Sequence, residues 1–139
     1  MNKIVLLGIW LCLWTGNILA QNHQQAMESK DSPVLLGQPM RTLPAAEFEK
    51  LIADTTVQLV DVRTLGEYKA GHIAGAKNID VQAVGFDQAI DKLDRMRPVA
   101  VYCRSGVRSK TAVAKLEQKG FKVFELEKGI NSWTGKITR

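Results

Sequence analysis

One short segment combines a nucleophile, two cations and a glycine: Cys103-Arg104-Ser105-Gly106-Val107-Arg108. It follows an apolar run at residues 99–102, which predicts a buried strand, and it leads into a helical pattern at residues 107–119. A loop between a strand and a helix turns successive backbone N–H groups toward one point, and the helix adds partial positive charge at its N-terminus. The segment therefore predicts a loop that binds anions and holds a thiol at its base.

These surroundings favour the thiolate form of Cys103, because the N–H groups, the helix terminus and two arginines all stabilise negative charge. Comparable environments lower a cysteine pKa to about 3.5–7.5. The alternative is a buried structural cysteine beside surface arginines, but such a cysteine needs no arginine pair and glycine beside it. We predict that Cys103 is the catalytic nucleophile and that the residues binding the anionic substrate are Arg104, Ser105, Gly106, Val107 and Arg108.

The apolar pattern predicts which elements position this loop. Strands are predicted at residues 57–62, 77–79, 99–102 and 122–126, and helices or helical turns at 44–52, 65–69, 86 to before 98, 107–119 and 129–133. We expect Thr42 to cap the first helix and residues 71–75 to form a loop. Strands that alternate with helices favour a single α/β domain with a parallel sheet. Ligands bind such sheets beyond the carboxyl ends of the strands, where Cys103 lies.

The first 20 residues have the features of a secretory signal peptide. Lys3 supplies a positive charge, residues 4–14 form an apolar run, and Ala20 offers a small residue for cleavage. Eleven apolar residues are too few for a spanning helix, which needs about 20, although an uncleaved anchor over residues 4–20 is the alternative. We expect a periplasmic or secreted protein with no stable membrane insertion after cleavage.

The remainder divides into a polar, Gln-rich flexible linker at residues 21–38 and a domain at residues 39–139. Cys12 lies in the leader, so the mature chain has only Cys103 and cannot form an internal disulfide. A lone thiol in an oxidising compartment is a candidate reactive group. The net charge of +5 is scattered and aromatic residues make up 6%, whereas a nucleic-acid surface needs clustered Lys and Arg. No nucleic-acid partner is expected.

Three segments resemble, in order, the signatures of the rhodanese family: residues 59–79, 101–109 and 120–133. The resemblance implies a five-stranded parallel sheet and transfer of sulfane sulfur through a persulfide on Cys103, without a cofactor or metal. It implies a small anionic sulfur donor such as thiosulfate, and a thiol or cyanide as acceptor. It does not indicate an oligomeric state. One departure is Lys128, which stands where the family often has glycine.

The first of these segments contains four further candidates: Asp61, Arg63, Glu67 and His72. Asp61 or His72 could act as a general acid or base, but the pattern alone places no proton donor within reach of a substrate. We expect instead an ion-pair and hydrogen-bond network that supports the active loop. Trp133 is expected to be a core aromatic residue.

Two other functions remain open. Cysteine-dependent phosphatases and arsenate reductases place an arginine six positions after the cysteine, whereas here Arg108 is fifth and Ser109 is sixth. The shorter loop suits a single sulfur atom better than a phosphate. The other alternative is a non-catalytic module that carries persulfide to a partner, and the retained Cys103 favours turnover over that role.

The leader predicts that the mature protein begins at or near Gln21 and is found outside the cytosol. N-terminal sequencing and intact-mass measurement of the protein from fractionated cells test this. A cytosolic protein that still begins at Met1 would contradict it.

Overall fold

The computed structural model describes residues 41–139; the predicted signal peptide at 1–20, the linker at 21–38 and residues 39–40 lie outside the described residues. The chain forms seven strands over this range: β1 (Arg41–Leu43), β2 (Gln58–Asp61), β3 (His72–Ile73), β4 (Lys77–Asn78), β5 (Val99–Tyr102), β6 (Val123–Leu126) and β7 (Ile137–Thr138). The helices are α1 (Ala45–Ile52), α2 (Leu65–Ala70), α3 (Phe86–Ile90), α4 (Arg108–Gln118) and a 3₁₀ helix (Gly129–Ser132).

Five of these strands form one parallel sheet in the order β1-β6-β5-β2-β4. The predicted α/β class and the five-stranded parallel sheet are therefore confirmed. Strand β5 is central, because β2 pairs with one of its edges and β6 with the other. Parallel sheets of this kind are covered on both faces, and all four residues of β5 are buried.

Side chains alternate between the two faces of β5, as the pleat of a strand requires. Val99 and Val101 belong to one hydrophobic cluster, which includes residues of α3 and α4. Ala100 and Tyr102 belong to the other, which includes Phe48 of α1. Trp133 packs against this second cluster, with its ring edge-on to Phe48 at a centroid distance of 6.3 Å. The strand that leads into the Cys103 loop is thus packed on both of its faces.

The first strand corrects the expected role of Thr42. The residue lies in β1 and donates its hydroxyl hydrogen bond to Glu125 of β6 at 3.2 Å, so it does not cap α1. Pro44 is the N-cap residue and makes no side-chain cap. Since a residue before proline prefers extended backbone, Leu43 continues the strand.

Two other segments also differ from expectation. The helix predicted to run from Phe86 toward Pro98 ends at Ile90, and Leu93 then bonds back to Ile90 in a turn, N to O 3.1 Å. A turn buries Leu93 as effectively as a helix would, so the spacing of apolar residues could not distinguish the two structures. Part of the predicted loop at 71–75 is strand β3, which pairs antiparallel with β7. No helix among residues 41–139 is long and apolar enough to cross a membrane.

Gly129 is the position where the fold is most sensitive to an added methyl group. Its φ is +59°, and a Cβ would lie 2.7 Å from the Arg104 carbonyl carbon and against the Cys103 carbonyl oxygen. We predict that Gly129→Ala lowers the free energy of unfolding by more than about 2 kcal/mol.

Thermal unfolding measures this loss. The matched control is Gly66→Ala in α2, where a Cβ meets nothing within 4 Å and helix propensity favours alanine. Equal melting temperatures for the two variants would contradict the prediction.

Candidate active site

Cys103 is the first residue after β5 and its side chain is 1% exposed. The Gly106 N–H donates a hydrogen bond to the Cys103 Sγ at 3.1 Å, and the Ser109 Oγ lies 3.4 Å from the same sulfur. Gly106 has a φ of +87°, which turns the chain so that its N–H faces inward. The loop therefore closes around the sulfur before α4 begins at Arg108.

The balance of forces on Cys103 favours its thiolate. Burial by itself raises the pKa of the thiol, because a charged sulfur loses its solvation. Hydrogen bonding with the Ser109 side chain and hydrogen bonds from the backbone N–H groups of Ser109, Ser105 and Gly106 act in the opposite direction and outweigh burial, so the pKa is lowered. A lowered pKa increases the fraction of thiolate, which is the nucleophilic form of the sulfur.

The exposed residues of the loop are Arg104, Ser105 and Val107. The side chain of Val107 is 72% exposed and does not contact the sulfur. Arg104 makes no side-chain hydrogen bond or ion pair with residues 41–139, and its guanidinium is available to a ligand. It lines a cavity of about 300 Å³ together with Arg63, Glu67, Ala70, Gly71, Ile130 and Asn131.

Arg108 is occupied by an ion pair. Its Nη1 and Nη2 donate to the two carboxylate oxygens of Glu67, each at 2.7 Å, in a bidentate arrangement. This pair joins the N-terminus of α4 to the N-terminus of α2. The structure thus brings together two residues for which separate roles were predicted, substrate binding for Arg108 and structural support for Glu67. The carboxylate of Glu67 compensates the charge of Arg108.

Glu67 has a second set of partners in α2. Its carboxylate accepts from the Thr64 N–H, and its own N–H donates to the Thr64 hydroxyl, which is a capping box. The hydrogen bond from Arg108 is the main cause that lowers the Glu67 pKa to about 2, against the opposing effect of burial. The carboxylate is therefore ionised throughout the physiological range.

Asp61 and Arg63 form a buried ion pair at the end of β2. The Arg63 Nη2 donates to the Asp61 Oδ2 at 2.6 Å and to the Gly71 carbonyl oxygen at 2.7 Å. Asn78 of β4 ties down the same corner, because its Nδ2 donates to the carbonyl oxygens of Asp61 and Arg63 at 3.0 and 2.8 Å. These contacts hold the β2–α2 connection beside the cavity, and neither charged group contacts Cys103.

His72 is the first residue of β3. Its Nδ1 is 3.0 Å from the Tyr68 carbonyl oxygen, and its ring stacks on that of Tyr68 at 3.7 Å between centroids. The next residue, Ile73, donates its N–H to the Tyr102 hydroxyl at 3.0 Å. The contacts of His72 are those of a packed residue of β3, separate from the sulfur.

Sequence reasoning missed Ser109 and Glu125 as site residues. Ser109 is buried and contacts the Cys103 sulfur, and Glu125 is buried on β6 and accepts a hydrogen bond from Ser109. The available signal was an acidic residue inside an otherwise apolar strand. Within residues 41–139 no cluster of three or more His, Cys, Asp or Glu is placed to hold a metal ion.

Comparison with known proteins assigns this arrangement to a family. Residues 44–136 match the Rhodanese-like domain family. The chain is 35% identical over 99 residues to the uncharacterized protein YqhL of Bacillus subtilis, covering 70% of this chain and 75% of that protein. It is 31% identical over 88 residues to the thiosulfate sulfurtransferase GlpE of Coxiella burnetii, covering 63% and 80%.

A solved structure agrees with these relatives. The rhodanese-related protein from Thermoplasma volcanium superposes with a TM-score of 0.64 at 31% identity, covering 70% of this chain and 97% of that one. Several other relatives are longer, and the chain spans only 20% to 47% of their lengths.

The Glu67–Arg108 pair generates a pH prediction. The folded-state pKa of Glu67 is about 2, below its ordinary value of 4.5, so the pair stabilises the fold above about pH 4.5 and loses this contribution as the pH falls toward 2. The free energy of unfolding of the wild type should therefore fall across this window. In Glu67→Gln we predict a fall that is smaller by about 1–2 kcal/mol.

Chemical denaturation at a series of pH values measures this difference. The matched control is Glu49→Gln, which removes an exposed carboxylate of α1 and should leave the wild-type slope in place. A Glu67→Gln slope equal to that of the wild type would show that the pair does not stabilise the fold.

Proposed function

Because the chain belongs to the rhodanese-like sulfurtransferase family, we propose that it transfers sulfane sulfur through a persulfide on Cys103. The observation that carries this proposal is the contact of the Gly106 N–H with the Cys103 sulfur at 3.1 Å, inside a loop that opens a helix. Preorganised N–H groups stabilise an anion where it forms and need no rearrangement during the reaction.

In the first step, the Cys103 thiolate attacks the outer sulfur of an anionic donor such as thiosulfate. A bond forms between Sγ and that sulfur, the sulfur–sulfur bond of the donor breaks, and its electron pair leaves with sulfite. Arg104 lines the cavity and makes no side-chain hydrogen bond or ion pair within residues 41–139, which supports it as the residue that holds the departing anion. One relative, from Coxiella burnetii, is named a thiosulfate sulfurtransferase, which supports thiosulfate as the donor.

In the second step, a thiol or cyanide attacks the outer sulfur of the persulfide. The new bond forms to the acceptor, the bond between the two sulfurs breaks, and the electron pair returns to Sγ as a thiolate. The same N–H groups face both anions, the thiolate and the persulfide. Ping-pong kinetics follow from the covalent intermediate. We also propose that this reaction takes place outside the cytosol, on the strength of the leader.

The geometry of the loop favours this chemistry over phosphatase chemistry. A phosphate needs several donors around three oxygens, but Arg108 is engaged by Glu67 and the loop has one residue fewer than a phosphate-binding cysteine loop. Stabilising the charge of a single sulfur atom requires only the N–H groups close to Sγ.

Thiosulfate treatment should add the mass of one sulfur atom to the wild-type protein, and cyanide should remove it again with release of thiocyanate. Cys103→Ser should show neither change, because an alcohol does not carry sulfane sulfur. Intact-mass spectrometry and a thiosulfate:cyanide transfer assay measure these outcomes.

Thermal unfolding of Cys103→Ser is the control, and the melting temperature should shift little because serine and cysteine have similar volumes. Transfer of sulfur by Cys103→Ser, or hydrolysis of an aryl phosphate by the wild type as fast as transfer, would overturn the proposal.

A further inference from the structure

Glu125 is a buried carboxylate that the proposed sulfur transfer does not use. It lies on β6, next to the central strand β5, and is 1% exposed. Burying a carboxylate is costly unless its oxygens receive hydrogen bonds. Ser109 donates to its Oε1 at 2.5 Å and Thr42 donates to its Oε2 at 3.2 Å. The partner at 2.5 Å is the same serine that contacts the nucleophile.

The charge of Glu125 is only partly compensated. Lys110 of α4 is the cation nearest to it among the described ion pairs, at 3.7 Å between Nζ and Oε2, and the lysine side chain is 63% exposed. A largely exposed ammonium at this distance contributes little to the stabilisation of a buried carboxylate. The principal partner of the buried Glu125 carboxylate is therefore the Ser109 hydroxyl.

Ser109 provides the route by which a proton can reach Glu125. A hydroxyl group has a single hydrogen and two lone pairs. While that hydrogen points to Glu125, the Ser109 Oγ faces the Cys103 Sγ, 3.4 Å away, with a lone pair. In this arrangement the serine can only accept a hydrogen bond, and the thiol must be the donor.

We propose that Ser109 and Glu125 form a buried proton relay that takes the thiol proton of Cys103. The S–H bond of Cys103 breaks and its proton bonds to the Ser109 Oγ, while the original hydroxyl proton moves to the Glu125 Oε1. The products are a thiolate and a neutral carboxyl group, so the number of protons and the net charge of the site are unchanged. Glu125 is thus a positioning residue that acts through Ser109.

After this transfer, the Ser109 hydroxyl points at the sulfur and donates to the thiolate. That is the direction in which Ser109 lowers the pKa of Cys103. The two arrangements differ only in where one proton sits. The relay avoids placing a thiolate and a carboxylate, both buried, on either side of one serine. The inference rests on the proposed role of Cys103 as the nucleophile.

A shared proton has a distinct signature in the pH dependence of Cys103. Two strongly coupled groups lose their protons in two macroscopic steps that belong to the pair. The first step should yield a partial population of thiolate and the second, at higher pH, should complete it. The other charged or polar groups that face the pair are Lys110 and Arg108 from α4, Thr42 from β1 and the backbone N–H groups of the loop.

The test is the rate of alkylation of Cys103 by iodoacetamide as a function of pH, measured by mass spectrometry on the peptide that contains Cys103. Alkylation requires the thiolate and no sulfur donor, so the relay can fail or succeed independently of sulfur transfer. The wild-type rate should rise in two steps separated by more than about one pH unit. Glu125→Gln should give a single step, because the amide accepts the serine hydrogen bond but cannot take a proton.

Glu127→Gln is the matched control, since Glu127 is exposed and two residues farther along the chain. It should retain both steps. A single step in the wild type, or two steps that persist in Glu125→Gln, would overturn the relay.

If Glu125→Gln does not fold, infrared difference spectra of the wild type decide the matter. Alkylation of Cys103 at a pH between the two steps leaves no thiolate to share a proton with, so the carbonyl band of a protonated carboxyl group should disappear and a carboxylate band should grow. Spectra without this change would overturn the relay.

Discussion

The hydrogen bond from the Gly106 N–H to the Cys103 sulfur forms where burial alone would keep the thiol protonated. Cys103 is 1% exposed, so water cannot stabilise its negative charge. The protein supplies that stabilisation from backbone N–H groups that already point at the sulfur. Because these donors belong to the main chain, their positions depend on the path of the loop, and the rest of the domain serves to hold that path.

Three sets of contacts hold the loop. The parallel sheet ends beneath it, with β5 locked between β2 and β6. The 3₁₀ helix donates hydrogen bonds to the carbonyl oxygens of the loop. The Ile130 N–H donates to the Cys103 oxygen at 2.8 Å, and the Asn131 N–H donates to the Arg104 oxygen at 3.1 Å. The pair of Glu67 and Arg108 ties the start of α4 to α2. Arg108 therefore contributes to the site first as a tether, whereas the Arg104 side chain makes no hydrogen bond or ion pair with residues 41–139.

Much of the fold could be predicted from the sequence, because buried parallel strands and amphipathic helices have distinct periodicities. The strand before Cys103 and the helix after it carry both the site and the strongest patterns. The pairing of β3 with β7 could not be predicted, since two-residue strands have no period to detect. Thr42 was misassigned because a threonine two residues before a proline suits both a helix cap and a strand. Ser109 and Glu125 escaped because their contact joins residues 16 positions apart, which no local pattern encodes.

The role proposed for the loop is to bind a persulfide sulfur through its backbone N–H groups. A crystal structure of the protein after treatment with thiosulfate would reveal this binding. We expect an additional sulfur atom bonded to the Cys103 Sγ, within hydrogen-bonding distance of N–H groups of the 104–108 loop. An unmodified Cys103, or an added sulfur that points away from the loop, would contradict it.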